Sequence, residues 1–380
     1  MTHGHHHPPQ PLSPEEAANQ RIVEVLASKL RRRQVVGSRA AALETLLVLR
    51  QVIAKARFWN IDQLVAIIRA VGRRLVDAQP NEHAVGNTVR KVLHHIREEY
   101  HTASKGADTT ATSKNYSIAK FVLQGQPRKH VTTQRSETKA TLKENDAEDP
   151  DSFARGLKPV LMEAIQDVLD ELETVYDNVS KNAKDHIHSD EIILTIGMSK
   201  TVEAFLKAAA HSRKYTVIVA ETAHRYGGRE MAKSLSSTGI STFLVPDSSI
   251  YALMSRVNKV ILGAHAILAN GGMFAITGSL LAVTAARAHS TPVVVCAGQF
   301  KLTPLWNLYH EYGALDFGDP SKVLGFNEGD LVDKVDVVNP YYDYVRPELI
   351  DAFITNDGDH PPSSVYRLLK ETYDDEDNEL

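Results

Sequence analysis

The feature that most restricts the fold is an alternation in the second half of the chain. Short β-branched runs recur at Glu191 to Ile196, Tyr215 to Ala220, Ser241 to Val245, Val260 to Leu262 and Pro292 to Cys296, with helical segments between them. Apolar runs of this kind suit strands buried on both faces, and parallel strands need crossover connections, which the helices supply. The pattern predicts a Rossmann-like parallel-sheet domain over residues 188–373. Within it, the stretch Lys259 to Ser279 most suggests a site, because the run Val260-Ile261-Leu262 leads to Asn270-Gly271-Gly272. The residues after that turn read as a helix start. Such a junction puts free backbone N–H groups and glycines where open α/β sheets hold their ligands.

The first half has a different grammar. Residues 1–12 hold four histidines and several prolines and read as a disordered tail. His5, His6 and His7 suit solvation, or weak metal binding without fixed geometry. Ser13-Pro14-Glu15-Glu16 forms a capping box for a first helix whose apolar face is Ile22, Val23, Leu26 and Leu30. Three further helical patterns are carried by Leu43, Leu46, Leu47 and Ile53; by Leu64, Ile67, Ile68, Val71 and Leu75; and by Val85, Val89, Val92 and Ile96. Asn60 is placed to cap the third, and Pro80-Asn81 separates it from the fourth. Residues 13–102 are therefore expected to form an N-terminal helical domain.

Residues 103–150 are polar and read as a flexible linker. Residues 151–187 then repeat Leu157, Leu161, Ile165, Val168, Leu172, Val175 and Val179 at helical spacing, the mark of a long connecting helix. Residues 374–380 are acidic and read as a solvated end. The expected fold class is α/β, an N-terminal helical domain joined by a long helix to a Rossmann-like parallel-sheet domain.

Composition removes several functional classes. The formal charge is −4 over 380 residues, so direct nucleic-acid binding is not expected. The single cysteine, Cys296, forbids an intramolecular disulfide and suits a reducing compartment. No apolar run approaches the ~18 residues of a membrane span and no signal-peptide core is present, which points to the cytosol.

Local motifs stop short of chemistry. Gly197-Met198-Ser199-Lys200-Thr201 comes directly after the first strand, but it lacks the second glycine of a Walker A loop, leaving at most a weaker anion site at a helix start. Cys296 after three valines reads as a small buried hydrophobe. His265 at a strand end suits a structural role or a catalytic one. Glu221 is placed to anchor a hydroxyl, cap a helix or hold a neighbouring subunit, and neither it nor Asp247 has an evident carboxylate partner. The cations Lys29, Arg31, Arg32, Arg33, Arg69, Arg73, Arg74, Arg90, Lys91 and Arg97 complement helix dipoles and solvate a face, or form a partner-binding patch.

Several long segments, in order, resemble one family. They are Thr195 to Leu206, Tyr215 to Glu221, Met254 to Gly263 and Leu268 to Gly272, with Gln79-Pro80 through Tyr100, Tyr342 to Ile350 and Ser364 to Leu368 on either side. Over about residues 20–102 and 151–373 the chain resembles the alpha, beta and delta regulatory subunit family of eukaryotic translation initiation factor 2B, in its beta branch. That family is related to methylthioribose-1-phosphate and ribose-1,5-bisphosphate isomerases. The resemblance implies a regulatory, non-catalytic part of a guanine-nucleotide exchange complex. Its implied partners are the alpha, gamma, delta and epsilon subunits and translation initiation factor 2, chiefly the alpha subunit of that factor. No cofactor and no metal are implied.

The same resemblance bears on catalysis. Where the isomerases carry a cysteine this chain has Gly197, and where they carry Gly-Ala-Asp it has Gly263-Ala264-His265. Their Asn-Lys pair corresponds to Ala275 and Ile276. The nucleophilic, acid/base and electrostatic groups are thereby replaced. The expectation is no catalytic residue and a vestigial ligand crevice made of Gly197, Ser199, Lys200, Glu221, His265, Asn270, Gly271 and Gly272. Arg69, Arg73 and Arg74 are the expected contacts for factor 2. A sugar-phosphate isomerase, or a residual sugar-phosphate or nucleotide sensor, is the alternative.

Overall fold

The structure is a computed structural model that describes residues 14–108, 150–223, 225–306 and 316–380. The expected N-terminal tail, the Ser13 capping box and residues 109–149 of the expected linker lie outside the described residues.

The chain opens with α1 (Pro14–Arg31), α2 (Ser38–Lys55), α3 (Ile61–Ala78) and α4 (His83–Asp108). Asn60 caps α3 by accepting a hydrogen bond from the Gln63 N–H at 2.9 Å. α3 and α4 cross so closely that a Cβ at Gly72 would lie 2.6 Å from Val89 Cγ1. α4 continues to Asp108, six residues into the stretch read as linker.

The long helix α5 (Pro150–Ser180) is succeeded by the single turn α6 (Ala183–His186). α5 is not a free bridge. Its Leu157, Leu161, Ile165, Leu172 and Val175 belong to one hydrophobic core that runs from Leu26 and Leu49 in the helical part to Val217, Ile261 and Cys296 on the sheet. A fully buried leucine contributes on the order of 2 kcal/mol, so separating the two parts would expose a large share of the stabilising surface.

The main sheet is built from β1 (Ile192–Ile196), β2 (Thr216–Ala220), β3 (Ser241–Val245), β4 (Lys259–Gly263), β7 (Val293–Cys296), β10 (Ala352–Thr355) and β11 (Gly358–His360). Its order is β11-β10-β7-β4-β1-β2-β3. All pairs are parallel except β10 with β11. Crossovers are made by α7 (Lys200–Ala210), α8 (Gly227–Ser236), α9 (Ile250–Met254) and α10 (Ser279–Ala288), and α11 (Val365–Thr372) comes after the last strand. From β1 the chain first builds outward through β2 and β3, then returns to add β4, β7 and β10 on the other side. That reversal creates a switch point between β1 and β4, where the strand ends splay apart.

A second sheet, which the sequence pattern does not announce, has the order β8-β5-β6-β9. Its strands are β5 (Ala266–Leu268), β6 (Met273–Ile276), β8 (Leu302–Thr303) and β9 (Tyr342–Val345). This corrects the reading of Asn270-Gly271-Gly272. The turn closes the β5–β6 hairpin, with Gly271 at φ +80, and the helix starts only at Ser279. Short apolar triplets on either side of an Asn-Gly turn are a hairpin signal, and here it outweighs the strand-to-helix reading.

The acidic end, exposed at Asp375, Glu376, Asn378 and Glu379, is corrected at one residue. Asp377 is 0% exposed, held by Arg69 and Arg97 from α3 and α4. Polar composition suggested a solvated end, but two guanidiniums supply the compensation that a buried carboxylate needs.

Close approach at the start of α8 yields a test of the packing. A Cβ at Gly228 would lie 2.0 Å from the carbonyl oxygen of Ala220, and backbone cannot move aside as a side chain can. Gly228→Ala is expected to destabilise the chain by about 3 kcal/mol, read as a lowered urea midpoint at unchanged m-value.

Candidate functional site

The switch point opens into a crevice of about 400 Å³. On one side β1 ends at Ile196 and the chain turns through Gly197 at φ +64 into α7. Ser199 caps α7, its Oγ accepting from the Val202 N–H at 3.4 Å. On the other side β4 ends at Gly263, which must lack a side chain because a Cβ there would meet Ser199 Oγ at 2.4 Å.

Four cationic side chains line this space: Arg39, Lys200, Arg225 and Lys301. Arg39 is pinned over the Tyr176 ring at 4.9 Å and donates to the Leu172 and Glu173 carbonyls. Arg225 lies 3.8 Å above the Tyr341 ring centroid. Lys200 pairs with Glu203 at 3.2 Å. Lys301 donates to the Ala264 carbonyl at 2.6 Å, and burial lowers its pKa to about 8, opposed by the charge of Glu82. Of these cations the sequence motifs point only to Lys200. Arg39, Arg225 and Lys301 come from three distant segments, and the helix-start pattern Gly37-Ser38-Arg39 is the one local signal that could have found any of them.

His265 lines the crevice but works as a strut. Its Nε2 lies 2.8 Å from the Asn81 carbonyl oxygen, which can only accept, so Nε2 carries the proton. Nδ1 faces Ser38 Oγ at 3.3 Å, and the ring stacks on Tyr342 at 4.1 Å. Burial lowers its pKa to about 4, so the imidazole is neutral near pH 7. Both nitrogens are engaged in joining the helical part to the sheet.

The other expected crevice residues divide. Gly197 forms the turn between the lining residues Ile196 and Met198, and Ser199 and Lys200 line the space directly. Glu221 is outside the lining and pairs with Arg229 at 3.2 Å, while Asp247 accepts from the Thr222 and Ala223 N–H groups. Asn270, Gly271 and Gly272 are also outside it. Asn270 donates to Tyr344 OH at 2.7 Å and accepts from the Gly272 N–H at 2.9 Å, which serves the hairpin turn. Gly271 packs against Pro362 and Gly272 against Tyr344. Cys296 is fully buried, and burial raises its thiol pKa, so the thiolate is suppressed.

The expected docking arginines also differ from one another. Arg69 is held by Asp377 at 2.7 Å and Arg74 by Glu24 at 2.9 Å, whereas Arg73 is exposed. Among the described residues, no group of three or more His, Cys, Asp or Glu side chains could hold a metal ion, and no helix is long and apolar enough to cross a membrane.

The chain belongs to the initiation factor 2 subunit family, whose profile matches residues 34–362. It is 43% identical to translation initiation factor eIF2B subunit beta of Schizosaccharomyces pombe, over 94% of this chain and 97% of that protein. A chain of the tetrameric eIF2B-beta2-delta2 complex from C. thermophilum superposes with a TM-score of 0.65 at 28% identity, over 93% of this chain and 95% of that one. Ribose 1,5-bisphosphate isomerase of Pyrococcus furiosus is 29% identical over a shorter region, 57% of this chain and 67% of the enzyme.

Two enclosed histidines set a pH dependence. Burial lowers His265 to about 4 and His83 to about 3, below the value of about 6.5 in an unfolded chain. The unfolded chain therefore binds these protons first, and stability is lost as pH falls from about 6.5 toward 4. The expected slope is at most about 1.4 kcal/mol per pH unit for each histidine. Urea titrations between pH 7 and 4.5 check it, and His83→Leu should remove one histidine's share.

Proposed function

We infer that this chain is a non-catalytic regulatory subunit of eIF2B, the guanine-nucleotide exchange complex for translation initiation factor 2. The observation that carries this is end-to-end identity with an eIF2B beta subunit, spanning nearly all of both chains. The isomerase relative covers little more than half of this chain. Its partners are the alpha, gamma, delta and epsilon subunits, in the cytosol, and the beta2-delta2 relative supports pairing with delta in particular. Native co-purification of the tagged chain is expected to recover the other four subunits and factor 2. Recovery as a lone monomer would overturn the assignment.

The crevice geometry supports the absence of isomerase chemistry. A side chain at Gly197 would have to accept φ +64, with its Cβ 3.0 Å from Ile276 Cδ1. His265 has no ring nitrogen left over for substrate, Ile276 is apolar, and Ala275 is buried away from the crevice. The purified chain is expected to give no turnover of methylthioribose 1-phosphate. Gly197→Cys with His265→Asp should lower the melting temperature without creating activity, and measurable turnover would revive the enzyme reading.

The helical part docks the alpha subunit of factor 2, and phosphorylation of that subunit shifts the complex between two states through a coupling free energy. Of the candidate arginines, Arg73 and Arg74 carry the docking role, because Arg73 is exposed and Arg74, although held by Glu24, is 54% exposed against 29% for Arg69. Charge reversal of both, Arg73→Glu with Arg74→Glu, is expected to weaken factor 2 binding about tenfold and flatten its salt dependence. Unchanged binding would remove these residues from the interface. The four cations of the crevice favour one second role, retention of an anionic metabolite, which calorimetry with a sugar phosphate and Arg225→Ala would detect.

A further inference from the structure

Asp377, the buried residue of a largely exposed carboxyl-terminal segment, lies within a continuous chain of polar contacts. At the crevice, Lys301 lines the space, and its neighbours Phe300 and Leu302 present their carbonyls to other elements. Asn87 of α4, 1% exposed, donates to the Phe300 carbonyl at 3.1 Å and accepts from Arg90 Nη1 at 3.4 Å. Arg90, 6% exposed, donates to the Asp377 carbonyl at 2.9 Å and the Asn378 carbonyl at 3.1 Å. The Asp377 carboxylate is then shared by Arg97 of α4 at 2.6 Å and Arg69 of α3 at 2.7 Å. Two side branches tighten the path. Tyr373 OH donates to the Leu302 carbonyl at 2.9 Å, and Asp374 is held by His94 at 3.0 Å and Arg97 at 2.5 Å.

Energetics set this chain of contacts apart from ordinary surface pairing. Asp377 is fully enclosed, so removing its charge takes from Arg69 its nearest carboxylate and leaves Arg97 with Asp374, while loss of both arginines would strand a buried carboxylate. The segment is short, with only the 3₁₀ turn Asp375–Asp377, and its hold on α3 and α4 is largely polar. An element of that kind is ordered only while its partners are in place, and it transmits their displacement.

We propose that residues 373–378 are a coupling strap that holds the crevice floor at 300–302 and the α3 face bearing Arg73 and Arg74 as one unit. Loosening the strap loosens both ends, and order imposed at one end is felt at the other. Neither end needs its ligand identified, because the strap is a property of the chain alone.

Hydrogen exchange of the full-length chain, read by mass spectrometry, tests this. Asp377→Asn is expected to raise exchange at least tenfold in residues 61–78 and in 299–303, with β1 and β2 unchanged. Asn87→Ala removes one of the two links to 299–303, the other being Tyr373 to the Leu302 carbonyl, and should raise exchange in 299–303 while sparing 61–78. If Asp377→Asn does not fold, Asp374→Asn, whose site is partly exposed, should give the same pattern at smaller amplitude. A rise confined to residues 373–380, or one spread evenly over the sheet, overturns the proposal.

Discussion

The structure depends on the requirement that α5 bury its apolar side chains against two partners at once. Leu157 to Val179 face both α2 and α4 of the helical part and α7 on the sheet, so one continuous core replaces a hinge. Polar groups enclosed near that seam lose water and need a protein partner, which Thr45 Oγ1, Glu82 Oε1 and Thr303 Oγ1 lack among the described residues. Ser38, Asn81, Asn87, Arg90, His265 and Asp377 are the groups that answer this demand, and their hydrogen bonds hold the helical part in one orientation on the sheet. Arg33 adds a bidentate pair with Asp316, at 2.6 and 2.7 Å, on the rim of the same seam.

That arrangement bears on function at the crevice. The switch point supplies the usual ingredients of a ligand site: strand ends, a capped helix start and a glycine held at positive φ. Its histidine, however, is spent on structure. A general base needs a nitrogen available to substrate and a pKa near the working pH, and His265 has neither, since burial holds it near 4 and both nitrogens face the helical part. A positively lined space persists, its cations anchored by rings and carbonyls.

Much of the fold was legible because it rests on local periodicity. The β-branched runs located the five strands β1, β2, β3, β4 and β7 to within a residue or so, and the heptad-like leucines located α5. The second sheet was not legible, because β5, β6 and β8 are two to four residues long and their pairing is nonlocal. The site was legible in part for the same reason. Ser199 announces itself as a cap and Gly197 as a turn, whereas Arg39, Arg225 and Lys301 converge only after folding. Asn270-Gly271-Gly272 misled because an Asn-Gly turn serves a hairpin as well as a loop beside a ligand.

By itself the sequence determined the class of the domain and the family, since each of these is written in residue identity and short-range order. Only the tertiary structure decided which charges are free. Arg69, Arg73 and Arg74 look alike along α3, yet Asp377 arrives from more than 300 residues away to take the first and becomes interior, while Glu24 of α1 pairs with the third. Burial and pairing are properties of what lies opposite a residue, and no local pattern specifies that.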